Sequence, residues 1–297
     1  MVDPVLARPP AMEWEEYSRA VMREWQALLS TDPAETEVQT FLELHPSMIP
    51  GGLGDVGHGG HHGSEMTAVW REPGLVGGGR QRHPDFMWVT RSSGCITPVL
   101  IEIEKPSKRW FTRDGKPTAE FTHAQEQLND WRAWFRSDAN QVLFRSHYLV
   151  REQYKNRPIE PYYLLIYGRS SEFEPGGIHR NPDELRFKRD GLRRSNESFM
   201  TFDSLRPSYD LRWSLTATMT SHGPRVFAFS PTYSTTSSSG RDTKVFGADV
   251  EAAFERSAMM SSDRKRYLAE RWRYWHDQEV AKSSWRPVDV KSILDAE

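Results

Sequence analysis

A mixed α/β fold, a sheet flanked by helices, is the class the sequence predicts, and three features predict it. Apolar residues recur at helical spacing in two segments ahead of Pro46. Two strand-like runs, PDFMWVT from Pro84 and TPVLIEIE from Thr97, are separated by the turn-forming SSG at 92–94. A later run, YYLLIYG from Tyr162, is apolar and aromatic without polar alternation, the pattern of a central strand covered on both faces.

The elements follow in order. Trp14, Tyr17, Val21, Trp25 and Leu28 predict an amphipathic helix over 12–29. A second helix starts with Asp32 as N-cap and Pro33 at its first position, buries Val38, Phe41 and Leu42, and stops at Pro46, where His45 closes it by meeting the last carbonyls. Residues 50–64, GGLGDVGHGGHHGSE, carry too much glycine for a regular element and predict a mobile loop; His58, His61 and His62 fall in it at a spacing that fixes no metal geometry. The 84–104 hairpin comes next, then a helix over 118–136 with Phe121, Ala124, Leu128, Trp131 and Phe135 on one face. A basic helix within 178–194 precedes a short strand, SFMTF at 198–202. Alternation from Leu211 to Met219, the turn SHGP and the run VFAF predict a second hairpin. SPTYSTTSSSGRDT at 230–243 predicts a flexible loop, and 249–281 a helical end. The expected organisation is an N-terminal helical extension (1–30), a central domain (31–230), and a Ser/Thr-rich loop with a C-terminal helical region (231–297).

Composition narrows the function classes. With 39 Lys+Arg against 41 Asp+Glu the formal charge is −2, so a nucleic acid would have to be held by local basic patches. One cysteine, Cys95, rules out an intrachain disulfide and a Cys-rich zinc module. No apolar leader and no run of 18 apolar residues occurs, so the expected location is the cytoplasm. No GxxxxGKS loop occurs, which argues against an intrinsic ATPase. Eleven tryptophans predict either a dense core or an oligomer interface.

The chemistry concentrates in LIEIEK. Period-two alternation places Glu102 and Glu104 on one face of the strand and turns Lys105 to the other. Hairpin pairing brings Asp85 close to both, so three carboxylates gather around one point. Such a cluster repels itself, and a divalent cation is the usual remedy; an all-oxygen site suits Mg²⁺ or Mn²⁺ rather than zinc. The competing reading is a solvated acidic face, the commoner origin of alternating carboxylates in an arbitrary protein.

A Pro-Asp pair on one strand, an acidic motif on the next and a glutamine-bearing helix resemble the PD-(D/E)xK nuclease superfamily. The order AETEVQTFLELHP, PDF, VLIEIEKPS, FTHAQEQLNDW and MTFDSL, over about residues 35–205, resembles the Shedu (DUF4263) antiphage nuclease family. The resemblance implies a restriction-endonuclease-like core, metal-ligand roles for Asp85 and Glu102, a supporting role for Glu37, and a polar active-site role for Gln127. It also implies DNA, phage or otherwise foreign, as substrate and self-assembly as a homotetramer. Hydrolysis would then use a cation at Asp85 and Glu102 with Glu104 orienting or deprotonating the water. Lys105, Lys108, Arg109, Lys188 and Arg189 would hold the backbone by phosphate contacts.

The superfamily's usual lysine position is Glu104 here, with Lys105 one residue later. Either Glu104 takes the lysine's place, or a bulge rotates Lys105 into the site, or the site is impaired. Two further classes therefore stay open: a nuclease-fold protein that binds DNA ends without cutting, and an assembly module whose acids line a polar cavity.

Overall fold

The computed structural model describes residues 8–53, 56, 62–77, 83–148, 151–236, 239–257 and 259–284. Within them lie strands β1 (Ser64–Arg71), β2 (Phe86–Arg91), β3 (Ile96–Ile103), β4 (Tyr162–Ile166), β5 (Glu197–Met200), β6 (Leu215–Thr220) and β7 (Gly223–Phe229). They form one sheet in the order β5-β4-β3-β2-β1-β6-β7. The predicted hairpins are present, β2 against β3 and β6 against β7, while β3, β4 and β5 run parallel and β1 is parallel to β6. The mixed α/β class is thus the observed one.

Eight α-helices surround the sheet among the described residues: α1 (Trp14–Ser30), α2 (Glu35–Leu44), α3 (Ala119–Phe135), α4 (Asp138–His147), α5 (Pro182–Leu192), α6 (Ser239–Phe246), α7 (Glu251–Glu255) and α8 (Ser262–Ser284). Every residue of β3 is buried because both its faces are covered. Val99, Ile101 and Ile103 meet the α1 and α2 side chains Val21, Trp25 and Val38. Leu100, on the alternate face, joins Phe121, Leu128 and Trp131 of α3. Trp25, Trp70, Trp88, Trp110 and Trp272 are all under 2% exposed, so this part of the tryptophan complement builds core. No helix among the described residues is long and apolar enough to cross a membrane.

Several local expectations are corrected. The N-cap of α2 is Ala34, not Asp32; Asp32 sits before the helix at φ 52°, with its carboxylate on Lys105. His45 does not use its ring to cap carbonyls. The ring is buried between Phe41 and Tyr17, with Nδ1 3.3 Å from the Tyr17 hydroxyl. The Ser/Thr-rich segment is not loop throughout, since α6 begins at Ser239. There Thr243 Oγ1 donates to the Gly240 carbonyl at 2.7 Å, a local bond that lets a hydroxyl enter a helical core. β1 and α4 are elements the sequence pattern did not signal. His58 and His61 lie outside the described residues, and the His62 ring is 3.3 Å from Ser93 Oγ.

Burial holds His45 neutral, its pKa lowered to about 4. An unfolded chain takes up that proton near the ordinary histidine value, so this contribution to stability is present above that value and is lost as pH falls toward 4. Urea denaturation is expected to show wild type losing about 2 kcal/mol more than His45→Gln between pH 7 and pH 5. Parallel losses in the two proteins would contradict this account of His45.

Candidate active site

The β2–β3 register builds the site. Phe86 pairs with Ile101, so one step further out Asp85 faces Glu102, both on the α3 side of the sheet by alternation. Asp85 Oδ2 accepts the Ile103 N–H at 2.8 Å, so the carboxylate completes the ladder where the main-chain pairing ends. Burial raises the Asp85 pKa to about 7, against the lowering effect of that N–H. Glu102 lies well above the usual carboxylate range, first through burial and then through the charges of Asp85, Glu104 and Glu35. The two carboxyl groups act on each other directly, and burial holds the pair as a whole above the usual carboxylate range.

Around this pair the chain places one cation and two further acids. Glu104, directly after β3, is buried and ion-paired to Lys108. Glu35, at the start of α2, has its pKa raised by burial and by Glu104, with Lys108 opposing. Glu35 is therefore the α2 acid whose field reaches the cluster. Glu37 faces its own helix start, where Oε2 accepts the Ala34 N–H at 2.7 Å. Lys105 pairs with Asp32 at 3.0 Å on the other side of the strand, as alternation requires. Sequence reasoning missed Glu35 and placed Lys108 only among the phosphate contacts. The signal for Glu35 is its position in the first turn of α2, two residues ahead of Glu37.

The loop carrying Lys108 is fixed from beneath. Glu172, 7% exposed, accepts the N–H groups of Trp110 and Phe111, each at 2.9 Å, and His179 Nε2 lies 3.0 Å from the same carboxylate. Gly168 (φ +59°) lies under that loop, and a Cβ there would stand 2.8 Å from the Lys108 carbonyl oxygen. Arg109 is exposed, with no side-chain partner among the described residues. Lys188 donates to the Gly115 carbonyl at 2.5 Å. Arg189 is largely withdrawn, paired with Asp190 and lying over the Phe173 ring at 5.0 Å. Gln127 sits on α3, the helix covering the face onto which Asp85 and Glu102 project, and its buried Oε1 has no hydrogen-bond partner.

The three acids expected around one point are thus a close pair whose pKa values are raised by burial, plus a third that is turned to a lysine. Among the described residues no three His, Cys, Asp or Glu side chains form a ready metal set. The donors still fit a hydrated Mg²⁺ or Mn²⁺. Such ions use one or two carboxylates and keep their waters, and the orphaned Gln127 oxygen is an acceptor that would suit such a water. We expect Glu172→Ala to leave two buried N–H groups unpaired and to cost about 3 kcal/mol in chemical denaturation. A loss below 0.5 kcal/mol, the ordinary surface range, would show that the clamp does not hold the Lys108 loop.

No curated protein matches the chain. A family model described as Shedu protein SduA, C-terminal, matches residues 32–206, from the turn before α2 to the segment beyond β5. That span contains Asp85, Glu102, Glu104, Lys108 and Gln127. The match takes in more than half of the 297 residues, and the chain belongs to the Shedu family.

Proposed function

We propose that the chain is a Mg²⁺- or Mn²⁺-dependent endodeoxyribonuclease that nicks or cuts foreign DNA. Membership of the Shedu family implies antiphage defence, and phosphodiester hydrolysis is the chemistry this site supports best. The observation that carries the reading is the pairing of Asp85 with Glu102 across the hairpin, beside the Glu104–Lys108 ion pair.

Asp85 and Glu102 would hold the cation, whose positive charge would favour the ionised form of both carboxyl groups. When bound, the cation supplies Lewis acidity toward a phosphodiester oxygen and toward water. Glu104 accepts the proton of the attacking water, and Lys108 keeps its carboxylate in place. Lys108 thereby brings to the site a lysine cation that Lys105 does not provide. Arg109 and Lys108 meet the charge of the DNA backbone without reading sequence. A DNA-binding protein that does not cut is the second reading, favoured by the lack of a ready third ligand among the described residues and by glutamate at the usual lysine position. Self-assembly as a homotetramer belongs to the same proposal and is read by light scattering at micromolar concentration.

A plasmid-nicking assay with and without chelator separates these readings. Cleavage that requires Mg²⁺ or Mn²⁺ is expected in wild type, and none in Asp85→Ala or Glu102→Ala at unchanged fold. Glu104→Gln is expected to slow cleavage by about two to four orders of magnitude. Lys105→Ala should cost far less, because its ammonium is held by exposed Asp32. Full activity in Asp85→Ala, or chelator-resistant shifting of DNA without nicking by wild type, would overturn the proposal.

A further inference from the structure

At the opposite end of β3 from the acids lies a cavity of about 900 Å³, bordered by Thr97, Ile159, Glu160, Tyr162, Arg136 and Arg194 among others. Thr97 stands five residues before Glu102, so about 17 Å of strand separates the cavity from the acid pair. The two ends of the sheet are chemically different. The acid end is crowded with carboxylates, whereas the cavity brings together guanidinium groups from α3, its C-cap and the start of the β5 segment.

Their states differ in an informative way. Arg132 is already fixed: it is ion-paired to Glu197, and its guanidinium lies 4.6 Å over the Tyr163 ring. Arg136 and Arg194 also line the cavity but have no side-chain partner among the described residues. Two guanidiniums without a side-chain partner among the described residues, bordering one cavity beside a fixed third, suit an oxyanion with several acceptor oxygens, since the planar fork matches phosphate geometry. The cavity is larger than a bare phosphate needs and falls in the range of small-molecule sites. Ile159 and Tyr162, both mostly buried, add apolar surface at its border, and the Glu160 carboxylate is an acceptor suited to sugar hydroxyls.

We propose that this cavity binds a nucleoside phosphate, with Arg136 and Arg194 on the phosphate groups, at a site separate from the acid pair. The site does not depend on the nuclease reading, and it can be occupied with no divalent cation present.

Isothermal titration of the full chain with ADP in excess EDTA tests it, with orthophosphate and a 5′-phosphorylated oligonucleotide titrated in parallel. The expected result is saturable ADP binding, at least tenfold tighter than orthophosphate and weakened at least tenfold in the Arg136→Ala/Arg194→Ala double variant. Both positions are exposed, and an unchanged melting temperature shows that the variant is folded. If the double variant does not fold, the single Arg194→Gln substitution carries the same comparison. Absence of ADP binding at millimolar concentration would overturn the proposal, as would equal affinity in the variant. So would orthophosphate binding as tightly as ADP, or binding of the oligonucleotide alone. Nicking assays on the same samples report on the acid site independently, so failure of one reading leaves the other standing.

Discussion

The register of β2 against β3 is the constraint on which the rest of the site depends. Once Phe86 faces Ile101, Asp85 must face Glu102, and the Asp85 carboxylate closes the ladder by taking the Ile103 N–H. Two acids are thereby forced together in a sheet whose β3 is buried on both faces. Burial makes double ionisation costly and raises the proton affinity of the pair. The apolar contacts of α1, α2 and α3 stabilise the fold, and by excluding water they also set the charge state of the site.

Strand alternation then decides which lysine serves the acids. Lys105 is odd-numbered with Ile101 and Ile103, so it emerges on the α2 side and meets Asp32. Lys108 returns to Glu104 because the chain turns at Pro106 and is held there by Glu172, which accepts the Trp110 and Phe111 amides, and by Gly168, which leaves space for the Lys108 carbonyl. The lysine that stands next to the acids in sequence is thus not the one next to them in space. A loop held in place by buried hydrogen bonds delivers a charge to the site without a bulge in β3.

Much of the fold was legible because it rests on periodicity. The apolar spacing of α1 and α3, the SSG hairpin and the unbroken YYLLI strand each reflect burial on one face or on both. β1 was not legible, since its buried Ala68, Val69 and Trp70 form a short run beside a glycine-rich stretch. Nor was α6, whose Thr243 reads as solvated although its hydroxyl bonds within the helix. In the site, Asp85, Glu102 and the outward turn of Lys105 follow from pairing and alternation. Glu35 and Lys108 do not, because the orientation of α2 against the strand end and the path of the 105–118 loop are tertiary facts. The Glu172 clamp joins residues about sixty positions apart, and no local pattern announces it.

The central claim is that Asp85 and Glu102 are brought together to hold a divalent cation. A Mn²⁺ titration followed by electron paramagnetic resonance measures this without reference to any substrate. The account predicts one saturable Mn²⁺ per chain in wild type, lost in Glu102→Gln and in Asp85→Asn and kept in Lys105→Ala. Saturable binding that persists unchanged in the Glu102 and Asp85 variants, or no binding in wild type, would contradict it.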